Sequence, residues 1–303
     1  MRILTIGISG FIGGSFGRYA AQLGHEVMGS SRQKQTSKEW SGLYTPANDS
    51  DELRELIQDF RPDVVVNAAG TASVGASVED PLNDFRGSVQ TCADVLDAIR
   101  RSEIRPLVVV PSSAAVYGNP AWLPVSEDAA LQPISPYGFH KVMCELLARE
   151  YAECFGLHVL VCRFFSVFGP AQRRLLVWEL YQQLSGHEHI AWLNGTGHET
   201  RDFLYIDDLN AALLGLIDSF QRSDINYVPV NVAAGVETSV LQLAEMIRDL
   251  VAPEKEIRCR GNLRRNDPLR WRAEVSKLQS LLPDWSSRTL QEGLAHCTKA
   301  WRQ

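Results

Sequence analysis

Arg2-Ile3-Leu4-Thr5-Ile6-Gly7-Ile8-Ser9-Gly10-Phe11-Ile12-Gly13-Gly14 is the stretch that decides the fold. Residues 2 to 7 form a short apolar run of the kind that makes a buried strand, and a helical pattern follows through Leu23 to Gly24. The next run, Glu26 to Gly29, reads as a second strand. Strand, glycine turn, helix and strand make a βαβ unit, whose two strands lie parallel. The glycines have separate tasks: Gly7 permits the tight turn, Gly10 lets backbone approach a diphosphate, and Gly13 lets helix and strand pack closely. Phe11 and Ile12, between Gly10 and Gly13, belong to the same cofactor-binding turn. The spacing is GxxGxxG rather than GxGxxG; its place, directly after a strand and before a helix, gives it meaning.

The end of the second strand should carry the residue that reads the adenosine ribose. A site for NAD usually places Asp or Glu about 20 residues past the glycines, to accept from the 2'-hydroxyl. Here Ser30-Ser31-Arg32 stands in that place, with Ser31 18 residues beyond Gly13. Two hydroxyls and a guanidinium suit a 2'-phosphate, so NADP(H) is preferred and NAD(H) remains possible.

Further along, Asp51 to Phe60 is a helix candidate, and Asp63 to Gly70 follows as a buried strand. Asn67, Ala68 and Ala69 at its end are small enough to let a cofactor lie over it. A helical stretch from Pro81 to Arg101 leads to a strand over Leu107 to Pro111, which ends in Ser112-Ser113-Ala114-Ala115-Val116-Tyr117-Gly118. Strands alternating with helices predict a doubly wound, Rossmann-type α/β parallel sheet.

Ser135-Pro136-Tyr137-Gly138-Phe139-His140-Lys141 opens the next helix, which runs on from Val142 to Phe155. Tyr137 and Lys141 are four residues apart, so both project from one helix face. A cation beside a phenol favours the phenolate, which makes the pair a proton-transfer device. Ser113, at a strand end, is suited to hydrogen-bond the oxygen that the phenol protonates. A surface pair without chemistry is the alternative for Tyr137 and Lys141 taken alone.

Past residue 155 a β-rich run over Leu157 to Phe165 is expected, then a helix over Arg173 to Ser185 and a short strand over Leu204 to Ile206. Asp207-Asp208 is expected to cap a helix over Leu209 to Ser219, and Asn231 to Ala233 to form the last strand. Residues 258 to 272 hold Arg258, Arg260, Arg264, Arg265, Arg270 and Arg272. Such a cluster suits a substrate diphosphate; a solvated basic face or a dimer contact is the other reading. His187-Glu188-His189 lacks metal-site spacing and reads as loop, so no metal is expected.

Bulk properties narrow the partners. The chain has 303 residues and a formal net charge of -6, which argues against nucleic-acid binding and for a small-molecule substrate. It contains no apolar run of the roughly 18 residues that would suggest a membrane span, and no signal-like start, so a cytoplasmic protein without membrane contact is expected. Its six cysteines show no CxxC spacing and read as reduced thiols.

These motifs together resemble the extended short-chain dehydrogenase/reductases, in the branch of NAD(P)-dependent epimerases, dehydratases and reductases that act on nucleotide sugars. The carriers are GISGFIG over Gly7 to Gly13, SSAAVYG over Ser112 to Gly118, SPYGFHK over Ser135 to Lys141, RFFSVFGP over Arg163 to Pro170 and RDFLYIDD over Arg201 to Asp208. The resemblance implies Tyr137 as general acid/base, Lys141 holding the nicotinamide ribose, and Ser113 binding the reacting sugar oxygen. Phe164 would join the cofactor site. Ser166, Arg201, Arg265 and Arg270 would meet the substrate. It implies a dinucleotide-binding domain over residues 1–165 and a smaller substrate lobe over 166–303, with a segment near 204–235 returning to the first. A homodimer packed through the Tyr-Lys helix and the helix before it is also implied.

Departures from the family pattern bear on the reaction. Sugar 4,6-dehydratases carry acids directly after the position of Ser113, where this chain has Ala114 and Ala115, so dehydration is disfavoured. Ser166 replaces a usual asparagine, and Gly87 or Ser88 replaces another. Reduction of a 4-keto-6-deoxy sugar nucleotide by NADPH is the preferred reading, with an NAD-dependent 4-epimerase as alternative. A non-catalytic NADP-binding sensor is a third reading, which retention of Ser113, Tyr137 and Lys141 speaks against.

Overall fold

β1 (Arg2–Ile6) is buried from Ile3 onward, as an apolar strand inside a parallel sheet must be. The computed structural model describes residues 1–31, 42–47, 49–223, 225–262 and 268–302. From β1 the chain passes through α1 (Phe11–Gln22) to β2 (Glu26–Ser30) and the short β3 (Leu43–Tyr44), then back along α2 (Ser50–Phe60) to β4 (Val64–Asn67). Asp49 caps α2 by accepting from the backbone N–H of Asp51 and Glu52.

The long helix expected over Pro81 to Arg101 is broken into pieces. It comprises α4 (Pro81–Phe85), a π-type turn over Arg86–Gln90 and α5 (Thr91–Ser102), preceded by α3 (Val74–Glu79). Asp80 caps α4 at Asn83 and Pro81 sets its first turn. The wide turn carries Gly87, and Thr91 Oγ1 donates to the carbonyl of Arg86 at 3.1 Å. β5 (Leu107–Ser113) runs two residues past its expected end, so Ser112 and Ser113 are strand residues. α6 (Pro136–Phe155) and β6 (His158–Phe164) follow.

The second half supplies β7 (Ser166–Phe168), α7 (Leu175–Ser185), β8 (Ile190–Leu193), β9 (Thr200–Arg201), β10 (Phe203–Tyr205), α8 (Ile206–Phe220), β11 (Tyr227–Val232), β12 (Thr238–Ser239), α9 (Val240–Val251), β13 (Glu256–Cys259), α10 (Ser276–Leu281) and α11 (Leu290–Trp301). α8 starts directly after β10, so Asp207 and Asp208 lie in its first turn and do not cap it. Asp208 instead accepts from the backbone and guanidinium of Arg288, at 2.9 and 3.0 Å.

Among the described residues the main sheet has seven parallel strands in the order β11-β6-β5-β4-β1-β2-β3. The order reverses between β1 and β4, where the chain first winds outward and then crosses back. In such a sheet the crevice at that reversal, outside the carboxyl ends of the strands, is where ligands bind. Alternate residues face two cores: Ile3, Val64 and Val109 pack with α1 and α8, while Leu4, Val65 and Val108 pack with α2, α5 and α6. All six cysteines are free; Cys154 and Cys259 are exposed, the others buried. No helix among the described residues is long and apolar enough to cross a membrane.

A buried ion pair locks α6 to this sheet. Arg163 on β6 donates from Nε and Nη2 to the two carboxylate oxygens of Glu145 on α6, at 3.0 and 2.7 Å, and their side chains are only 4% and 3% exposed. Ser112 Oγ on β5 donates to the same carboxylate at 2.5 Å. Arg163 Nη1 reaches Tyr117 Oη at 2.8 Å, and that phenol donates to Asn231 on β11 at 2.7 Å. Burial disfavours the arginine's charge, but Glu145 outweighs it and the pKa rises. Burial likewise pushes the Tyr117 phenol up to about 12, against the pull of Arg163. Glu145→Ala would leave a guanidinium unpaired in the core and should cost about 3–5 kcal/mol, read from urea unfolding; an effect below about 1 kcal/mol would show that the pair does not hold the helix.

Candidate active site

The site is assembled where β1, β2, β4 and β5 end. Gly7 leaves β1 with φ +82°, and a Cβ on it would lie 2.6 Å from the backbone nitrogen of Ala69. A Cβ on Gly13 would strike the Gly7 carbonyl and stand 3.1 Å from Ala68 Cβ. Only glycine at both positions allows the turn, α1 and the Ala68–Ala69 end of β4 to meet. Gly10 precedes α1 and offers no side-chain cap, so the first-turn N–H groups beginning at Phe11 and Ile12 form a seat for an anionic group. Asn67 is 5% exposed, and its Oδ1 has no partner among the described residues. The glycine cradle and the small residues at the end of β4 fit a dinucleotide.

At the end of β2 the Ser30 carbonyl accepts from the N–H of Gly7 and Ile8, at 2.7 and 3.2 Å. The Ser30 side chain points into the protein, fully buried, so this residue bears on the turn through its backbone. Ser31 Oγ lies 3.0 Å from Tyr44 Oη. Arg32, on which the preference for NADP leaned, lies outside the described residues. Phe164 is buried in the core at the end of β6.

Ser113 closes β5, and its Oγ accepts from Ala115 N at 3.2 Å, capping the short 3-10 turn over Ala114–Tyr117. α6 begins at Pro136 with Ser135 as its cap, Oγ accepting from Gly138 N at 3.1 Å. A Cβ on Gly138 would come within 2.6 Å of the Ala115 carbonyl; its absence lets the helix carrying Tyr137 press against the turn after Ser113. Lys141 Nζ donates to the carbonyl of Pro111 at 3.1 Å and lies 5.8 Å from the centre of the Tyr137 ring. Burial works against the Lys141 charge, yet the attraction of Tyr137, Cys144, Cys92 and Asp84 exceeds it and raises the pKa. A folded-state pKa above the usual lysine value means that the ammonium persists through neutral pH and is lost only at higher alkalinity.

On the substrate side, Ala114 and Ala115 are buried and offer no carboxylate. Ser166 begins β7, its N–H donating to the Asp202 carbonyl at 2.9 Å. Arg201 is 8% exposed, with its guanidinium 5.2 Å from the Trp271 ring and Nη1 donating to the Thr200 carbonyl at 2.8 Å. Asp202 is pushed up by burial to about 6, although the N–H groups of Ala273, Ala234 and Gly235 all donate to it. Arg270 is held by both oxygens of Glu237, at 2.7 and 2.9 Å, and Arg258 by Glu256 on its own strand. Arg272 donates to the Gly235 carbonyl, and Arg260 lies over Trp192. These engagements leave Arg270 a poorer diphosphate ligand than its sequence position suggests; Arg264 and Arg265 lie outside the described residues. His187 and His189 are exposed loop residues.

One group had no assigned role in the sequence. Asp84 accepts from Thr71 Oγ1, lies 2.5 Å from His140 Nδ1, and through Thr71 connects to Ser88. The available signal was an acid and a histidine on faces that are otherwise buried, His140 directly preceding Lys141.

Comparison with known proteins places this geometry. Residues 3–233 match the model of the NAD dependent epimerase/dehydratase family. The chain is similar to the UDP-glucose 4-epimerase of Mycolicibacterium smegmatis, 29% identical over 100% of this chain and 99% of that protein. It is also similar to the GDP-6-deoxy-D-mannose reductase of Pseudomonas aeruginosa, 27% identical over 96% and 99%. Among solved structures, MoeE5 in complex with UDP-glucuronic acid and NAD superposes with a TM-score of 0.88, 26% identical and covering 100% of this chain and 99% of that one.

Proposed function

We propose, since this chain belongs to the NAD dependent epimerase/dehydratase family, that it is a nucleotide-sugar 4-epimerase. The observation that carries the chemistry is Tyr137 and Lys141 one turn apart on α6, pressed against the strand end that bears Ser113. A dinucleotide held by the Gly7–Gly13 turn and Lys141 would supply the hydride chemistry at the sugar carbon. Tyr137 takes the proton of the reacting hydroxyl and gives it back on the other face of the turned-over keto sugar. Lys141, a persistent cation, offsets the charge that develops on the phenol oxygen and holds ribose. Ser113 Oγ already accepts from Ala115 N, which leaves its proton for the sugar oxygen. Ala114 and Ala115, in place of acids, supply no base at these two positions to pull water from the hexose.

The epimerase reading is taken over the ketoreductase because full-length likeness to a UDP-glucose 4-epimerase and to an NAD-bound neighbour outweighs a ribose argument whose arginine lies outside the described residues. NAD is the cofactor on this reading, and a nucleoside-diphosphate hexose the substrate. Reduction of a 4-keto-6-deoxy sugar nucleotide by NADPH is the second reading, favoured by the serines at 30 and 31 where an NAD site usually has an acid and by the similarity to a GDP-6-deoxy-D-mannose reductase. Residues 1–165 form the dinucleotide-binding part and 166–303 mostly the substrate lobe, with the 204–235 segment, which contains β11, contributing to the first.

A homodimer through α6 belongs to the same reading. Phe139, Met143 and Leu146 stand 51%, 40% and 60% exposed, at spacings that put them on one helix face, and Leu82 on α4 is 57% exposed. Covering such a stripe with a second copy removes apolar area from water.

Three outcomes are expected. Denaturing the purified protein should release NAD, identified by mass; release of NADP, or an empty protein that prefers NADPH, would overturn the epimerase choice in favour of the reductase. Tyr137→Phe should cut turnover of a UDP-hexose by about a hundredfold or more while the bound dinucleotide and the melting temperature stay unchanged; retained turnover would remove the phenol from the mechanism. Leu146→Lys should convert a dimer in sedimentation velocity to monomer, whereas a wild-type monomer at micromolar concentration would sink the interface.

A further inference from the structure

Ser77, on α3, is the one fully buried residue of that short helix. Its hydroxyl makes two bonds. Oγ donates to the Val74 carbonyl at 2.7 Å and accepts from the backbone N–H of Tyr137 at 3.0 Å, 60 residues away in sequence. A serine hydroxyl has a single proton. Donation to Val74 uses it, so what the oxygen presents to α6 is acceptor capacity.

That bond completes the first turn of α6. The opening N–H groups of a helix have no partner within it. Pro136 brings none, the N–H of Gly138 goes to Ser135 Oγ at 3.1 Å, and that of Phe139 to the Ser135 carbonyl at 3.0 Å. The N–H of Tyr137 is left, and a residue of another helix takes it. The other polar ties between α6 and its surroundings named above fall later: Asp84 on His140, the Pro111 carbonyl on Lys141 and Arg163 on Glu145. α3 in turn follows directly on the end of β4. Ser73 caps it, Oγ accepting from Ala76 N at 3.2 Å and the Ser73 carbonyl accepting from Ser77 N at 3.1 Å. A short segment thus runs from Ala68 and Ala69, at the dinucleotide seat, to the backbone of the residue that moves the proton.

We infer that Ser77 is a positioning residue for the reaction proposed above, on which this rests: its hydroxyl ties the first turn of α6 to the segment leaving β4 and so holds the Tyr137 phenol in place relative to the dinucleotide seat. The phenol oxygen is at the far end of its side chain, so a small tilt of the turn is magnified there. Proton transfer tolerates little of this, since about 1 Å of misplacement can cost a hundredfold in rate. Lys141, one turn further along, has its own tie to the Pro111 carbonyl and keeps its place without Ser77. Ser77 therefore acts through Tyr137 alone.

Ser77→Ala in the full-length protein removes the oxygen and adds nothing. Hydrogen exchange at the Tyr137 amide should quicken about tenfold, the scale of one hydrogen bond. Turnover of a UDP-hexose should fall about tenfold in kcat, while KM and the dissociation constants of NAD and NADP stay within about twofold of wild type. In a Tyr137→Phe background the same substitution should cost less than about a further twofold, because its effect passes through the phenol. Ser77→Thr keeps a γ-oxygen and should bring kcat back to within about threefold of wild type. Wild-type kcat in Ser77→Ala would overturn the inference. So would a further loss of about tenfold in the Tyr137→Phe background, a loss of dinucleotide affinity as large as the loss of kcat, or a Ser77→Thr protein that melts like wild type yet is as slow as Ser77→Ala. A wild-type protein that turns over neither a UDP-hexose nor, with NADPH, a 4-keto-6-deoxy sugar nucleotide would overturn the proposed function instead. The exchange measurement decides the tether separately, since unchanged exchange at Tyr137 in Ser77→Ala overturns it whatever the activity.

Discussion

The buried Arg163–Glu145 pair is the constraint on which the site geometry depends. Taking a guanidinium and a carboxylate out of water costs several kcal/mol for each ion, and the cost is offset only because the fork is matched bidentately, the remaining guanidinium nitrogen donates to Tyr117 and the Glu127 carbonyl, and Ser112 donates to the carboxylate. The apolar face of α6 toward the sheet is made of small side chains, Cys144, Ala148 and Ala152. Such a surface permits sliding or rotation at little cost. A directional ion pair does not, so the helix is held in one rotation. Tyr137, Lys141 and Glu145 follow one another at four-residue steps on the same face. Glu145 bonded to β6 and Ser112 therefore brings Lys141 to the end of β5 and Tyr137 to the turn after Ser113.

What the sequence made legible follows the reach of each interaction. The glycine turn is local chemistry: strand, turn and helix are contiguous, and the positive φ at Gly7 announces itself as a residue type. Tyr137 and Lys141 are legible for the same reason, since four residues on a helix is a fixed distance. Element ends failed where tertiary partners decide them. Asp207 and Asp208 look like caps, but α8 grows straight out of β10 and Asp208 is drawn off by Arg288, 80 residues away. Gly87 falls in a stretch of helical pattern, yet the backbone there takes a wide turn, at a place where an added Cβ would stand 3.0 Å from Thr71 Cγ2.

Pairing over long separations leaves no periodic trace, and it governs the rest. Asp84 and His140 are 56 residues apart, Arg270 and Glu237 33 apart. Nothing in either neighbourhood tells which arginine of a basic run will be tied up by an acid. The basic run near residue 260 reads as one patch in sequence. In the fold, Arg258, Arg260, Arg270 and Arg272 each have a different occupation, so counting charges overstated the field they present together.

Why these separate devices meet at one edge follows from the sheet. Parallel strands joined by crossovers place all their carboxyl ends on the same side, so Gly7, Ser30, Asn67 and Ser113 emerge together although they span most of the first half of the chain. The reversal between β1 and β4 opens a crevice there, and side chains decide how it is used. Small residues at Ala68, Ala69 and Gly70 leave it room, α1 meets it with backbone N–H groups, and the Lys141 ammonium comes in from α6. Because Lys141 is buried, its charge is stable only where anionic or accepting groups surround it. The Pro111 carbonyl and the neighbouring Tyr137, Cys144 and Asp84 provide that environment. The same surroundings that keep the lysine charged inside the protein fix its ammonium at the end of β5, so packing α6 against the sheet and holding a cation there are one electrostatic arrangement.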